Sequence, residues 1–347
     1  MKIAGDRTAR FVMVTSVVVT VGLGVPPWAG AQTSPFAVYN LPTPESGPCA
    51  DTVTSSGTAW FVEWRTSEIG RITADGQLTQ FPIPRASDPS TIADNLPTTS
   101  PCSITQGSDG NIYFTNGIAN QIGAVDPSTG QITLYDAPDP AGNLEPYNDI
   151  AAGNDDAIWF TETTGNAIGR FDLKTHAFSS YPIPTPDSDP VGIVQGPDGG
   201  IWFTEFDANK IGRVDEATGQ ITEYPLPSPA SGPFVMRAVT GGRYVWFTET
   251  SVGRLGRIDT ETGSVTEVPL PAGSAPIALC LGSDGDIYYN SPALNEIGKV
   301  SPDTFSVTEI PVPVPGSEPI ELNCGADASV WVMLHQANSV ARYSIGS

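Results

Sequence analysis

Trp159-Phe160-Thr161-Glu162, Trp202-Phe203-Thr204-Glu205 and Trp246-Phe247-Thr248-Glu249 are one motif written three times, each followed by an apolar-Gly-Arg step. With the first aromatic as origin, the step begins nine residues on in seven places: Trp60/Ile69, Tyr113/Ile122, Trp159/Ile168, Trp202/Ile211, Trp246/Leu255, Tyr288/Ile297 and Trp331/Val340. The aromatics are 53, 46, 43, 44, 42 and 43 residues apart. That period suits repeated four-stranded β units and is longer than leucine-rich or ankyrin repeats.

Inside one unit the chain reads as short strands: Val191 to Gln195, Ile201 to Glu205, Ile211 to Asp215 and Gln220 to Tyr224, with turns at Gly196-Pro197-Asp198-Gly199 and Thr218-Gly219. Gly at those turns supplies the positive φ that tight hairpins need. Outer strands leave through Pro-rich exits such as Tyr224-Pro225-Leu226-Pro227, where a missing N–H ends the ladder. Phe36-Ala37-Val38-Tyr39-Asn40-Leu41-Pro42 has the fourth-strand pattern but precedes the first full copy, and the last copy stops at its third strand. The expected fold is all-β: a seven-bladed β-propeller of four-stranded blades, closed by pairing of the N-terminal strand with the last blade. Gly and Pro together make 69 of 347 residues, which disfavours long helices.

The repeated Trp-Phe-Thr-Glu, Asn-x-Ile-Gly-Arg, Ile-Thr-Glu-Tyr-Pro-Leu-Pro and Gly-Pro-Asp-Gly motifs resemble the virginiamycin B lyase (streptogramin lyase) family over nearly all of residues 36 to 345. The resemblance implies a seven-bladed propeller. It also implies metal-assisted elimination that opens cyclic depsipeptide rings, using His and Glu near the centre of one face, with Mg2+ as the expected cation. The inner-strand openings read Pro101-Cys102-Ser103-Ile104, Pro190-Val191-Gly192-Ile193 and Pro276-Ile277-Ala278, without the His of the family's Pro-His-x-Ile.

Much of the repeat reads as framework. Glu63, Glu162, Glu205 and Glu249 are each followed eight residues on by Arg71, Arg170, Arg213 and Arg257, a spacing read as cross-strand ion pairs. Asn120, Asn166, Asn209, Asn295 and Asn338 precede the Ile-Gly step and suit a turn. The Trp and Phe residues are expected between blades.

Lys2, Arg7 and Arg10 lead into an apolar run from Phe11 to Val25 that ends at Ala29-Gly30-Ala31. Residues 1–31 therefore read as a secretory signal, with residues 32–347 forming a single propeller domain, secreted or periplasmic. The full chain carries 16 Lys+Arg against 38 Asp+Glu, a formal charge of −22. That balance argues against nucleic acid and against adsorption to anionic membrane. A monomer with a small-molecule or extracellular ligand is expected. Export makes disulfides available; four cysteines permit three connectivities, and the repeat register selects Cys49–Cys102 and Cys280–Cys324, each joining adjacent blades.

Function should sit where the repeat is broken. Ten residues before the aromatic stand Ala50, Ser103, Asp149, Gly192, Met236, Ala278 and Glu321, and the next position holds Asp51, Ile104, Ile150, Ile193, Arg237, Leu279 and Leu322. Strand alternation points one set into the channel. Asp149 and Glu321 are channel candidates; Asp51 and Arg237 break an apolar position and need partners, each other included. Asp51, Asp149 and Glu321 are the candidate metal ligands, with Arg237 beside them. His335 follows Val332-Met333-Leu334 in place of Phe-Thr-Glu and is the candidate base, whereas His176 lies in a hairpin between outer strands. The long first spacing places an insertion at residues 85–100, where Asp88, Asp94 and Asn95 could hold a cation or cover a ligand. Three readings follow: a secreted metal-assisted lyase acting on a cyclic or ester-containing small molecule, a non-catalytic binding propeller, and a Ca2+-dependent lactonase or hydrolase.

Overall fold

The computed structural model describes residues 10–12, 17–19, 34–84, 101–117, 119–138 and 149–346. Most of residues 1–31 and the whole 85–100 insertion, with Asp88, Asp94 and Asn95, lie outside them. Seven antiparallel sheets follow one another in chain order, each built as consecutive neighbours from the inner strand outward. Blade 4 is typical: Pro190–Gln195, Gly200–Glu205, Lys210–Asp215 and Ile221–Pro225. Two three-residue strands, Arg10–Val12 and Val17–Val19, add to the outer edges of blades 2 and 1.

Closure is by strand exchange, as the sequence predicts. Phe36–Asn40 pairs antiparallel with Ser339–Ser344, setting Phe36 opposite Tyr343 and Tyr39 opposite Val340. This early strand thus completes the last blade and leaves the ring no free end to fray.

Two repeated devices explain the motif. In each of six blades a Gly on the third strand faces an aromatic on the second, as Gly212 faces Phe203. A Cβ on Gly212 would lie 2.0 Å from the Phe203 ring, and similar collisions await at Gly70, Gly123, Gly169, Gly256 and Gly298. Blade 7 carries Ala341, and there the facing residue is Val332. The Gly is required by the ring packed on it, not by backbone conformation. The second device is the Thr of Trp-Phe-Thr-Glu. Thr204 Oγ1 accepts from Gly192 N–H of its own inner strand at 2.8 Å and donates to Phe234 O of the next blade at 2.6 Å. Thr161 and Thr248 make the same bridge, so a girdle of hydroxyls fixes neighbouring inner strands around the channel.

The expected Glu–Arg pairs do not form. Residues 163–166 make the turn of the hairpin, so Glu162 faces Ala167 and Arg170 faces Trp159; likewise Glu205 faces Lys210 and Arg213 faces Trp202. Glu63 faces Glu68 and Glu249 faces Arg254. Each Arg instead lies over its Trp, with guanidinium-to-ring distances of 5.3 Å at Arg71, 5.9 Å at Arg170, 6.0 Å at Arg213 and 5.5 Å at Arg257. In blades 3 and 4 one Asp of the inner hairpin joins both: Asp198 accepts from Trp202 Nε1 at 2.8 Å and from Arg213 Nε at 2.6 Å, and Asp155 does the same for Trp159 and Arg170.

The Asn reading holds. Asn120, Asn166, Asn209, Asn295 and Asn338 all have φ between 49° and 56°. In blade 3 the Asn166 amide donates to Ile183 O and Thr185 O while its oxygen accepts from Ser188 N and Oγ, pinning the chain's exit to the next inner strand. The aromatics fill the blade interfaces, with Trp60, Trp159, Trp202, Trp246 and Trp331 almost wholly buried.

Candidate functional site

The inner strands bring four charged side chains to the channel axis. On Pro233–Thr240 the ladder pairs Met236 with Phe247 and Ala238 with Trp246, which leaves Arg237 as an extra residue outside the ladder. This bulge corrects the sequence alignment. Met236, fully buried against the Phe247 cluster, fills the apolar place assigned to Arg237, and Arg237 is released toward the axis. Its Nη2 donates to Asp149 Oδ1 at 2.9 Å, and its Nη1 lies 3.4 Å from Glu321 Oε1 and 3.4 Å from the Asp51 carbonyl oxygen.

Asp149 is well supplied with donors: Ser103 Oγ at 2.6 Å and its own strand's Ile150 N–H at 2.9 Å reach Oδ1, and Ile193 N–H reaches Oδ2 at 3.3 Å. Glu321 is not, because the approach of Arg237 is not aligned as a hydrogen bond and Oε1 has no other donor among the described residues. Burial raises the Glu321 carboxyl to about 7; Arg237 and the Leu322 N–H pull it down and Asp149 pushes it up. Asp51 faces Phe61 at a fully buried position. Burial first, then Glu321, hold its carboxyl well above the usual range against the pull of Arg237. Burial works against the Arg237 charge, but Asp149, Glu321 and Asp51 outweigh it and raise its pKa.

Above this cluster opens a cavity of about 530 Å³. Asp149, Arg237 and Glu321 form its floor together with Ala50 and Ser103, and its walls are Trp64, Val191, Phe206, Phe234, Ile277 and Ile320. Asp51 lies beneath the floor rather than in the lining. A second cavity of about 440 Å³ opens on the far side and shares Arg237, so the charged cluster divides the channel in two. Size and lining of the first suit a drug-sized, mostly apolar ligand.

His335 is on the wall of the first cavity. Its Nδ1 is 3.2 Å from Pro48 O and its Nε2 is 3.1 Å from Arg65 Nη2. Since the guanidinium can only donate, Nε2 accepts and Nδ1 carries the proton. Burial lowers its pKa, the Pro48 carbonyl opposes this and Arg65 adds to it, so the neutral ring is favoured near pH 7. Trp64 stacks alongside with 6.4 Å between centroids. His176 packs on Tyr135 and Phe171 at the outer hairpins and takes no part.

These groups do not fit a divalent cation as they stand. The cation among the three carboxyls is Arg237, and among the described residues no three His, Cys, Asp or Glu converge as a metal site. Of the cysteines, Cys280 and Cys324 are bonded across blades 6 and 7 as the register predicts. The Cys102 side chain lies outside the described residues, and Cys49 Sγ sits 3.9 Å from the carbonyl oxygen of the preceding Pro101.

Sequence reasoning missed the cavity walls, though the signal was present. Four residues after the leading aromatic stand Trp64, Gly117, Thr163, Phe206, Thr250, Pro292 and His335. The irregular column that singled out His335 also holds Trp64, Phe206 and Thr250, all on the same cavity.

The family model described as the Virginiamycin B lyase family matches residues 91–262 and 235–347. A solved structure of selenomethionine-substituted virginiamycin B lyase from Staphylococcus aureus is 30% identical with a TM-score of 0.78, covering 88% of this chain and 98% of that one. A streptogramin B lyase structure is 30% identical with a TM-score of 0.79, covering 88% and 97%. A catalytically inactive His-to-Ala variant of the Staphylococcus aureus enzyme with quinupristin is 30% identical with a TM-score of 0.78, covering 88% and 98%. No curated protein is significantly similar to the chain.

Proposed function

The chain belongs to the virginiamycin B lyase family, and from that premise we propose that its first cavity binds a mostly apolar, cyclic or ester-containing small molecule outside the cytoplasm. The observation that carries this reading is the cavity itself: about 530 Å³, with aromatic and aliphatic walls over a small charged floor of Asp149, Arg237 and Glu321. Residues 1–31 as an export signal and the Cys280–Cys324 bond support an oxidising compartment. A structurally similar family enzyme was captured with quinupristin, which makes that cyclic ligand the first to test.

Turnover is a second reading, favoured by Glu321 near pKa 7 on the cavity floor. In an elimination the base takes a proton beside a carbonyl, the electrons form a C=C bond and the ester C–O bond breaks to release a carboxylate. Glu321 would take the proton. Arg237 would face the developing negative charge, and His335 would need Arg65 to swing away before its Nε2 could act. No step is assigned to a metal, since Arg237 already supplies the positive charge among these carboxyls and, among the described residues, no three metal-ligating groups converge there. Incubation with quinupristin, followed by chromatography and mass spectrometry, separates the outcomes. Elimination gives a new peak of unchanged mass, hydrolysis adds a water, and a non-catalytic binder returns the ligand intact while calorimetry records saturable binding. Absence of both heat and product would overturn the reading.

A further inference from the structure

Glu321 is the one polar group on the cavity floor whose hydrogen bonding is visibly incomplete. Its side chain is 7% exposed, it lines the cavity, and Oε1 lacks a donor among the described residues. A buried acceptor left without a donor costs about 1–3 kcal/mol, and more when charged. Oε1 itself is closed off beside Arg237 Nη1, so a ligand's donor meets the carboxyl at the edge that lines the cavity and supplies the partner this group lacks.

The surroundings select the donor. Arg237 from blade 5 faces three carboxyls, Asp149 from blade 3, Glu321 from blade 7 and Asp51 from blade 1, so the floor contains more acidic groups than cations. The rim adds Glu318 and the neutral His335, with Arg65 turned onto the His335 ring. An anionic ligand would compete with Asp149 for Arg237, whereas a cation meets a second carboxyl, Glu321, that Arg237 approaches without a hydrogen bond. The walls include the aromatic rings of Phe206 and Phe234, while Trp64 already has the Arg65 guanidinium 5.6 Å over its ring. A formal charge of −22 raises the local concentration of cationic solutes.

We propose that the cavity recognises a hydrophobic amine: an apolar ring system held by the walls, with a protonated nitrogen that donates to the Glu321 carboxylate at the cavity floor. This inference rests on the cavity reading above and adds the charge of the ligand. Glu321, near pKa 7, is readily driven to its ionised form by such a partner.

The test is calorimetric titration with imipramine and with its neutral carbon analogue, in which C–H replaces the dimethylamino nitrogen, on wild type and Glu321→Gln. The expected result is at least tenfold tighter binding of the amine to wild type and equal binding of the two probes to Glu321→Gln. Retained affinity of the neutral probe for the variant shows that the cavity has kept its shape. Equal binding of both probes to wild type would overturn the charge assignment and leave the cavity reading standing. A preference for the amine that survives in Glu321→Gln would overturn the role of Glu321. Failure of both probes to bind wild type would overturn the cavity reading and this inference with it.

Discussion

Replacing Arg237 with Met removes the guanidinium while keeping a long side chain on the bulge. Asp149 would keep Ser103 Oγ and the N–H groups of Ile150 and Ile193, but Glu321 would lose the one cation within 4 Å that it has among the described residues. Breaking a buried charge network from one side costs about 3–5 kcal/mol. The cost should depend on pH in a definite sense. Arg237 now lowers the carboxyl pKa of Glu321 and Asp51, so its loss raises both. A carboxyl whose folded pKa is raised loses stability as pH climbs through that value, so the variant should suffer more at pH 8.5 than at pH 5.5. If losing the guanidinium makes Glu321 hold its proton tenfold more tightly, that change alone gives a difference of about 1.4 kcal/mol between the two. Urea denaturation of wild type and variant at both pH values measures this, and adding Glu321→Gln to the variant should restore part of the loss. A loss under about 1 kcal/mol, or an equal loss at both pH values, would refute the account of Arg237 as the cation of the cluster.

Other consequences can be checked on the same footing. Glu205, Glu249 and Glu63 are raised by burial to about 8, 7 and 7, so folding should be favoured at pH 5 and weaken toward pH 9, and Glu205→Gln should flatten that slope in denaturation curves. Gly212→Ala drives a methyl into the Phe203 ring and should destabilise by about 1–3 kcal/mol, with Phe203→Val in the same chain relieving the clash as blade 7 does with Val332 and Ala341; a neutral single substitution would contradict the packing account. The Cys280–Cys324 bond spans a sequence separation of 44, so its removal by Cys280→Ala/Cys324→Ala should lower stability by roughly 3–4 kcal/mol in the urea midpoint analysis.

The architecture was legible because it is written seven times. Blade count, the closing strand and the Asn turns followed from spacing, and the structure places each where the spacing puts it. What failed was register at the scale of single residues. The Glu-to-Arg spacing of eight suggested facing positions, but a four-residue turn moves the partner of Arg213 back to Trp202. Gap-free alignment put Arg237 in an apolar row, because nothing in the sequence marks the bulge that hands that row to Met236. The residues at the channel axis could still be picked out as charges that break a repeat. Their partners could not, since Asp149, Arg237 and Glu321 meet across the ring from three different blades. The apolar cup went unseen because Trp64 and Phe206 look like two more aromatics in a chain full of them; only their column, shared with His335, sets them apart.

The most direct measurement is calorimetric titration of a cyclic depsipeptide into the protein and into Phe206→Ala/Phe234→Ala, two wall residues that meet edge-on at 6.0 Å. Saturable one-to-one binding to wild type, weakened at least tenfold in the double variant whose melting curve is otherwise preserved, is the predicted result. Binding that is indifferent to both substitutions would place the ligand elsewhere and contradict the account.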